Sequence, residues 1–294
     1  MAITTHIFRA FLKEHRYRAL LGNGLLIGRQ SVLFTPDAMR DIARSESVAT
    51  REIPFRQDED TRGAGPMVDY DLFASFCDLK MEALDISPYE KANIIHNMCE
   101  PVPSSLHGQY DFIYNGSCMD NLFNPTEFLK NCSRMLRPGG RFVSIEHGSA
   151  YPGGYLLYSP DFFLDFFALN NYADALIFVC DFLGYRSPHH MQSPWMLWSW
   201  NPARNDKPAT EHSIHLSPSN RLILCIAEKG EEATDDRIPI QGVYRTSEAL
   251  QAPVYDEACR RFLTSKRIAL YRSREAQDWA SSQSVSNLEF VGLL

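Results

Sequence analysis

The sequence predicts an α/β protein built on a mostly parallel sheet with an antiparallel edge strand. Apolar runs of strand length alternate with helix patterns along most of the chain, and strands separated by helices pair in parallel through right-handed crossovers. The helices begin with recognisable start signals, a capping residue followed by proline. Two late apolar runs, "DALIFVCDF" and "RLILCIAEK", have no long helix pattern between them, which places an antiparallel strand at the edge.

Residues 5–21 carry Ile7, Phe8, Phe11, Leu12 and Leu20 at helical spacing, with Arg9, Lys13, Arg16 and Arg18 mostly on the other side. This N-terminal helix, residues 1–21, is either docked on its own domain or a lid over a ligand. "GLLIGRQS" is a short strand ending at Gly28. "TPDAMRDIAR" is a helix with Thr35 as cap and Pro36 in the first turn. Residues 45–68 are polar and punctuated by Gly and Pro, and read as a loop or mobile insertion. "KMEALDI" is a strand, followed by "SPYE" at capping-box spacing. "ANIIHN" and "YDFIY" are strands, and "NPTEFLKNCSRML" is a helix capped by Asn124 with Pro125 next. "RPGG" turns the chain into the strand "RFVSIEH". "SPDFFLDFFALN" is a helix capped by Ser159. A Trp-rich insertion, 186–219, precedes the last strand, and a helix near 252–266 lies in a C-terminal extension, 231–294, expected to pack on the central domain, 22–230.

A net charge of −7 over 294 residues argues against a general grip on nucleic acid, which needs clustered Lys and Arg. The seven cysteines are scattered without a C-x-x-C pair and read as buried thiols of a reducing compartment. No apolar run reaches membrane-span length, and the first residues lack a signal-peptide core, so the expected location is cytoplasmic. "HHMQ" (His189, His190) and "HSIH" (His212, His215) lie in an irregular stretch without cysteine partners, so no metal site is expected. "SPWMLWSW" reads as a core patch.

In an open parallel sheet, ligands bind outside the carboxyl ends of the strands. The residues at that rim are Gly28, Asp85, Asn97, Asn115–Gly116 and Glu146–His147. A glycine after the first strand lets a ligand approach the backbone. A carboxylate ending the second strand can accept from both hydroxyls of a ribose. An Asn after the third can accept from an adenine amino group.

The run from "DISPYEKANIIHN" through "DFIYNGSCMDNLFNPTEF" to "MLRPGGRF" resembles the class I S-adenosylmethionine-dependent methyltransferases. "LIGRQ", Leu26 to Gln30, is similar to a bacterial subgroup in which an "LGRQ"-like strand end replaces the glycine-rich first motif. The resemblance runs from about residue 22 to about 165. It implies a Rossmann-like class I methyltransferase fold with S-adenosyl-L-methionine as cofactor. It further implies that Gly28, Arg29 and Gln30 hold the methionine end and that Asp85, with Ile86 beside it, meets the ribose. Asn97 and Met98 would surround the adenine, with Asn115 and Gly116 beside the carboxypropyl-amine and sulfonium.

The chain also departs from the subgroup. The first motif lacks its usual acidic residue and second glycine. Asp120-Asn121 stands where the subgroup has Glu-His, and "GGYLLYSP" replaces a His-Gly-Phe-Tyr segment, so both aligned histidines are gone, replaced by Asn121 and Gly153. The candidates for proton handling are His147, Glu146 and Asp120, while Tyr155 and Tyr158 could orient a substrate or face the sulfonium. The leading expectation is methyl transfer to a small polar molecule on oxygen or nitrogen. One alternative is cyclisation of the cofactor's own side chain to azetidine-2-carboxylate with release of methylthioadenosine. Another is a degenerate fold that only binds. The expected partner is a small-molecule substrate, with no nucleic acid and no membrane; a homodimer is compatible with the sequence.

Overall fold

The computed structural model describes residues 2–149, 154–181, 194–201, 221–241, 252–273 and 288–294. Two compact units divide the chain, Met1–Val143 and Ser144–Leu294. The architecture is mixed α/β with the expected parallel strands and crossovers.

In the first unit, β1 (Ala2–Ile3) leads into α1 (Thr5–Tyr17), whose cap Thr4 accepts from the Ile7 amide. β2 (Leu21–Ile27) and β3 (Ser31–Val32) follow, and β3 pairs in parallel with β1. α2 (Pro36–Ser45) is capped by Thr35, which accepts from the Ala38 amide. Next come α3 (Asp69–Phe76), β4 (Asp78–Asp85), β5 (Ile94–Ile95), β6 (Tyr110–Gly116) and α4 (Pro125–Met135). β7 (Leu136–His147) crosses the boundary between the units. The strand order in the first unit is β6-β2-β4-β5, and every pair in it is parallel.

Helix α1 is docked. Its Phe11 ring lies 5.7 Å from Phe112 and 4.9 Å from Tyr114 on β6, both edge-on, and 5.2 Å from Phe73 on α3. Each such aromatic pair contributes about 0.5–1.5 kcal/mol beyond its burial. On the polar side, Arg9 and Lys13 reach Glu46, just past α2, at 3.0 and 2.9 Å. Glu14 is buried and pairs at 3.2 Å with buried Arg141, which also donates to the Glu14 and Arg18 carbonyls. Removing one member of a buried pair leaves the other charge desolvated. Glu14→Ala is expected to lower unfolding stability by about 2–4 kcal/mol in a urea titration. A loss under about 0.5 kcal/mol would show that the docking of α1 does not depend on the pair.

The stretch read as a loop or mobile insertion is tied down. The Asp58 carboxylate, itself buried, accepts from the Thr61 hydroxyl and from the amides of Thr61, Asp60 and Gly65. Thr61 Oγ1 in turn lies 2.7 Å from Ser31 Oγ on β3. Burial alone would raise the Asp58 carboxyl; these hydrogen bonds, led by the Thr61 hydroxyl, win and hold it below the ordinary 3.8. A carboxylate lowered on folding stabilises above its unfolded value and loses that contribution as pH falls through its folded value. Wild-type stability is therefore expected to fall below pH 3.8 more steeply than that of Asp58→Asn, as read by denaturant midpoints at stepped pH. Parallel pH curves would overturn the assignment.

Some local readings change. α3 has no capping side chain at Val68, and its eight residues were hidden between loop and strand. "SPYE" opens no helix: residues 86–90 are bends and a turn, and the Ser87 hydroxyl accepts from the Tyr89 amide at 3.4 Å. "RPGG" is strand, with Gly139 at φ +76°, so β7 begins at Leu136. "ANIIHN" shrinks to the two residues of β5.

The second unit holds α5 (Pro160–Leu169), β8 (Asp174–Asp181), β9 (Met196–Trp200), β10 (Arg221–Glu228), α6 (Ala252–Leu263) and β11 (Leu288–Leu293). Ser159 sits at the cap of α5 without a side-chain cap hydrogen bond. β8 and β10 pair antiparallel as expected, and β9 and β11 extend the set in the order β10-β8-β9-β11. Trp195, Trp198 and Trp200 are buried, and Trp200 donates to Asp161 at 2.9 Å. His189, His190, His212, His215, Gly153 and most of 186–219 lie outside the described residues.

Candidate functional site

The register of the first unit brings three strand ends together. Ile27, the last residue of β2, is paired with Leu84 on β4 and with Asn115 on β6. The chain after Ile27 is thus flanked by Asp85 on one side and Gly116 on the other, at a span of about 10 Å across two strand spacings. The strand order also reverses here, since the chain runs outward from β2 through β4 to β5 and then returns to its other side with β6. This is the switch point at which open α/β sheets bind ligands.

At the first strand end, Gly28 takes φ +70°, a conformation open to glycine, and its amide donates to the Leu84 carbonyl at 2.7 Å. Arg29 is 3% exposed, and its guanidinium turns to Asp69 at the start of α3. Nε lies 3.0–3.1 Å from both carboxylate oxygens, and Nη2 lies 2.8 Å from Oδ1. Nη1 donates to the Glu90 carbonyl, and the guanidinium stacks 4.3 Å over the Tyr70 ring. Burial opposes the charge on Arg29, but the Asp69 hydrogen bonds and charge raise its pKa nonetheless. Burial likewise pushes the Tyr70 hydroxyl up to about 12.

Gln30 is fully buried. Its backbone amide donates to Asp69 Oδ2 at 2.8 Å, and its Nε2 donates to the Ile27 and Gly28 carbonyls at 3.3 and 3.0 Å. These two acceptors fix which end of the carboxamide is nitrogen. Oε1 then accepts no hydrogen bond among the described residues, and it occupies the space a Cβ on Gly116 would need.

On the other side of Gly28, the half-buried Asp85 accepts at Oδ1 from the Ser87 amide at 3.3 Å. Ile86 beside it is 66% exposed, an unusual degree for isoleucine. Asn97 is engaged locally: Oδ1 accepts from the Cys99 amide at 3.0 Å and Nδ2 donates to Glu100. Met98 is buried, and its carbonyl accepts from Asn131.

After β6, Asn115 is buried and its Oδ1 accepts from the Cys118 amide at 3.0 Å. Ser117 takes the left-handed φ of +65°, uncommon outside glycine, while its hydroxyl donates to Asp120 Oδ2 at 2.8 Å. Asn121 donates to Asp120 Oδ1 at 2.6 Å and to the Ser117 carbonyl at 3.2 Å. Asp120 and Asn121 therefore close one turn with Ser117, and the carboxylate is buried. In the second unit, Glu146 is buried and the carbonyl of His147 accepts from the Tyr158 amide at 2.9 Å. Tyr158 is buried against Phe162 and Phe163, whereas Tyr155 is 66% exposed.

Sequence reasoning missed Asp69, Tyr70 and Ser117. A buried Arg29 needs a carboxylate, but nothing in the sequence says which acid 40 positions away supplies it. Gly116→Ala is expected to displace the Gln30 carboxamide and cost about 1–3 kcal/mol of stability. In a Gln30→Ala background the cost should shrink, and purely additive costs would show that the two do not touch.

Residues 63–144 match the family described as methyltransferase domain. That segment contains Asp85, Asn97, Asn115, Gly116 and Asp120 but not Gly28–Gln30. No curated protein matches the chain. Among solved structures, the CMeT domain of the citrinin polyketide synthase is 13% identical, with 77% of this chain and 52% of that one covered at a TM-score of 0.39. Phosphoethanolamine N-methyltransferase 2 of Haemonchus contortus, solved with S-adenosyl-L-methionine, is 11% identical over 76% of this chain and 52% of its own, at 0.38. A SAM-dependent methyltransferase of Thermotoga maritima is 10% identical over 76% and 89%, at 0.37. The chain thus spans about half the length of the first two, and likeness this low carries neither substrate nor mechanism. Residues 63–144, the segment that matches a methyltransferase domain, thus lie on an α/β sheet with a switch-point crevice.

Proposed function

We propose that the protein transfers a methyl group from S-adenosylmethionine to the nitrogen or oxygen of a small polar molecule. The observation that carries this is the rim of three adjacent strand ends, with a carboxylate at one end and a buried, unsatisfied acceptor at the other. An acceptor left without a donor in the interior costs about 1–3 kcal/mol. Gln30 Oε1 is such an atom, and the ammonium of the cofactor's amino-acid end is a donor of the right kind. Asp85, on the far side of Gly28, suits the two ribose hydroxyls. Exposed Ile86 would offer an apolar surface to the base, with Asn97 and Met98, which follow β5, as its other neighbours, while Asn115 and Gly116 would line the sulfonium end.

When bound, the cofactor supplies an electrophilic methyl carbon. The chain's own residues hold it at the strand ends, keep water away, and orient the acceptor. A hydroxyl acceptor needs a base, for which Asp120 and His147 are the candidates, with Tyr155 and Tyr158 as orienting groups. An amine acceptor needs mainly proximity. Holding the cofactor's amino group as a hydrogen-bonded ammonium on Gln30 works against its attack on its own side chain, so transfer is favoured over cyclisation. All four tryptophans lie in the second half of the chain, a composition that suits an enclosed small acceptor better than a macromolecule.

The test is incubation with S-adenosylmethionine, with and without a panel of small amines and alcohols, followed by mass spectrometry. S-adenosylhomocysteine formed only with an acceptor is the expected result. Methylthioadenosine formed without one would replace transfer by cyclisation, and absence of cofactor binding in calorimetry would remove both. Asp85→Ala is expected to weaken S-adenosylhomocysteine binding by about 1–3 kcal/mol. Unchanged affinity in the folded variant would exclude the ribose contact.

A further inference from the structure

The first strand lacks the acidic residue that usually stands near the cofactor, yet a carboxylate is buried at that corner. It comes from Asp69, on α3, 39 residues beyond Gln30. Asp69 is 0% exposed, and its oxygens accept from Arg29 Nε and Nη2, from the Gln30 amide and from the Tyr70 amide at 2.8–3.1 Å. With its carboxylate engaged by these donors, Asp69 is not placed as a cofactor ligand. What it controls is the backbone of residues 29–30. With the Gln30 amide and the Arg29 side chain held together, the Gln30 carboxamide lies with Nε2 on the Ile27 and Gly28 carbonyls and Oε1 against Gly116.

We infer that Asp69 is a positioning residue for cofactor binding: through Arg29 and the Gln30 amide it sets the Gln30 carboxamide that receives the amino-acid end of S-adenosylmethionine. The inference rests on the cofactor reading above and adds a residue to it. It predicts a selective defect. Asp69 acts chiefly on the amino-acid end: Asp85, on the neighbouring strand, accepts from Ser87 and is not among the hydrogen-bond partners of Arg29, Gln30 or Asp69, and Arg29 meets the loop after β4 through one hydrogen bond to the Glu90 carbonyl.

The test compares two probes by calorimetry on the full chain: S-adenosylhomocysteine, and methylthioadenosine, which carries the adenosine without the amino-acid end. Asp69→Asn is expected to weaken S-adenosylhomocysteine about tenfold or more and to leave methylthioadenosine within about twofold. In a Gln30→Ala background, the same substitution should change S-adenosylhomocysteine affinity by less than about twofold. Should Asp69→Asn fail to fold because Arg29 is left buried and uncompensated, the double variant Arg29→Met/Asp69→Leu removes both charges and is read by the same two probes. Equal weakening of both probes would reduce Asp69 to a structural role, and unchanged affinity for both would remove the role altogether. Failure of the wild type to bind S-adenosylhomocysteine would instead overturn the cofactor reading, so the two failures are distinct.

Discussion

The buried ion pair between Arg29 and Asp69 is the constraint on which the rim of the first unit depends. Taking two charges out of water costs several kcal/mol each, so a pair at 3% and 0% side-chain exposure is favourable only when the remaining donors and acceptors are satisfied. Here the carboxylate gains two backbone amides besides the guanidinium, and it stands in the first turn of α3, where the helix dipole favours a negative charge. The guanidinium gains the Glu90 carbonyl and the face of Tyr70. A well-packed apolar pair could be as stable. What it could not do is direct the Gln30 amide, and geometry is what the corner gains from the charge.

The same pair organises the loops around the crevice. Glu90, in the turn after β4, meets Arg29 through its carbonyl and the Arg62 amide through its carboxylate at 2.8 Å. Lys91 reaches Asp60 at 2.6 Å, and the loop carrying Asp60 and Arg62 is folded on Asp58 and held to β3 by Thr61 and Ser31. A segment of polar composition therefore becomes a brace between two strand ends. Its exposed ion pair adds little energy by itself; the buried Asp58 turn does the fixing.

The parallel core and its helix starts were legible because they rest on local signals. Thr35 before Pro36 and Asn124 before Pro125 both open helices whose caps accept the predicted amides, and Phe112–Tyr114 lie in the buried strand their run implied. Illegible features depend on contacts distant in sequence. α3 has no cap, and its first turn is fixed by Arg29; the "SPYE" spacing is a capping box only where a helix follows, and none does. β9 and β11 exist through their pairing with β8 and with each other, which composition does not announce. The rim residues Gly28, Asp85 and Asn115–Gly116 were found because strand ends follow from strands. Arg29 was found for a different reason than the one the structure gives it, since its side chain serves the fold of the corner.

The turn after β6 is closed by its own side chains. Asn121 donates to Asp120 and to the Ser117 carbonyl, so its carboxamide closes a turn. Asp120 is buried with both oxygens accepting, one from Asn121 and one from Ser117, which holds its side chain in place. A carboxylate whose two oxygens are both engaged within its own turn fixes the backbone leaving β6, as the Asp58 carboxylate fixes the loop before α3. The turn thus holds its shape through side chains close in sequence, whereas the corner at Arg29 depends on Asp69, 40 positions away.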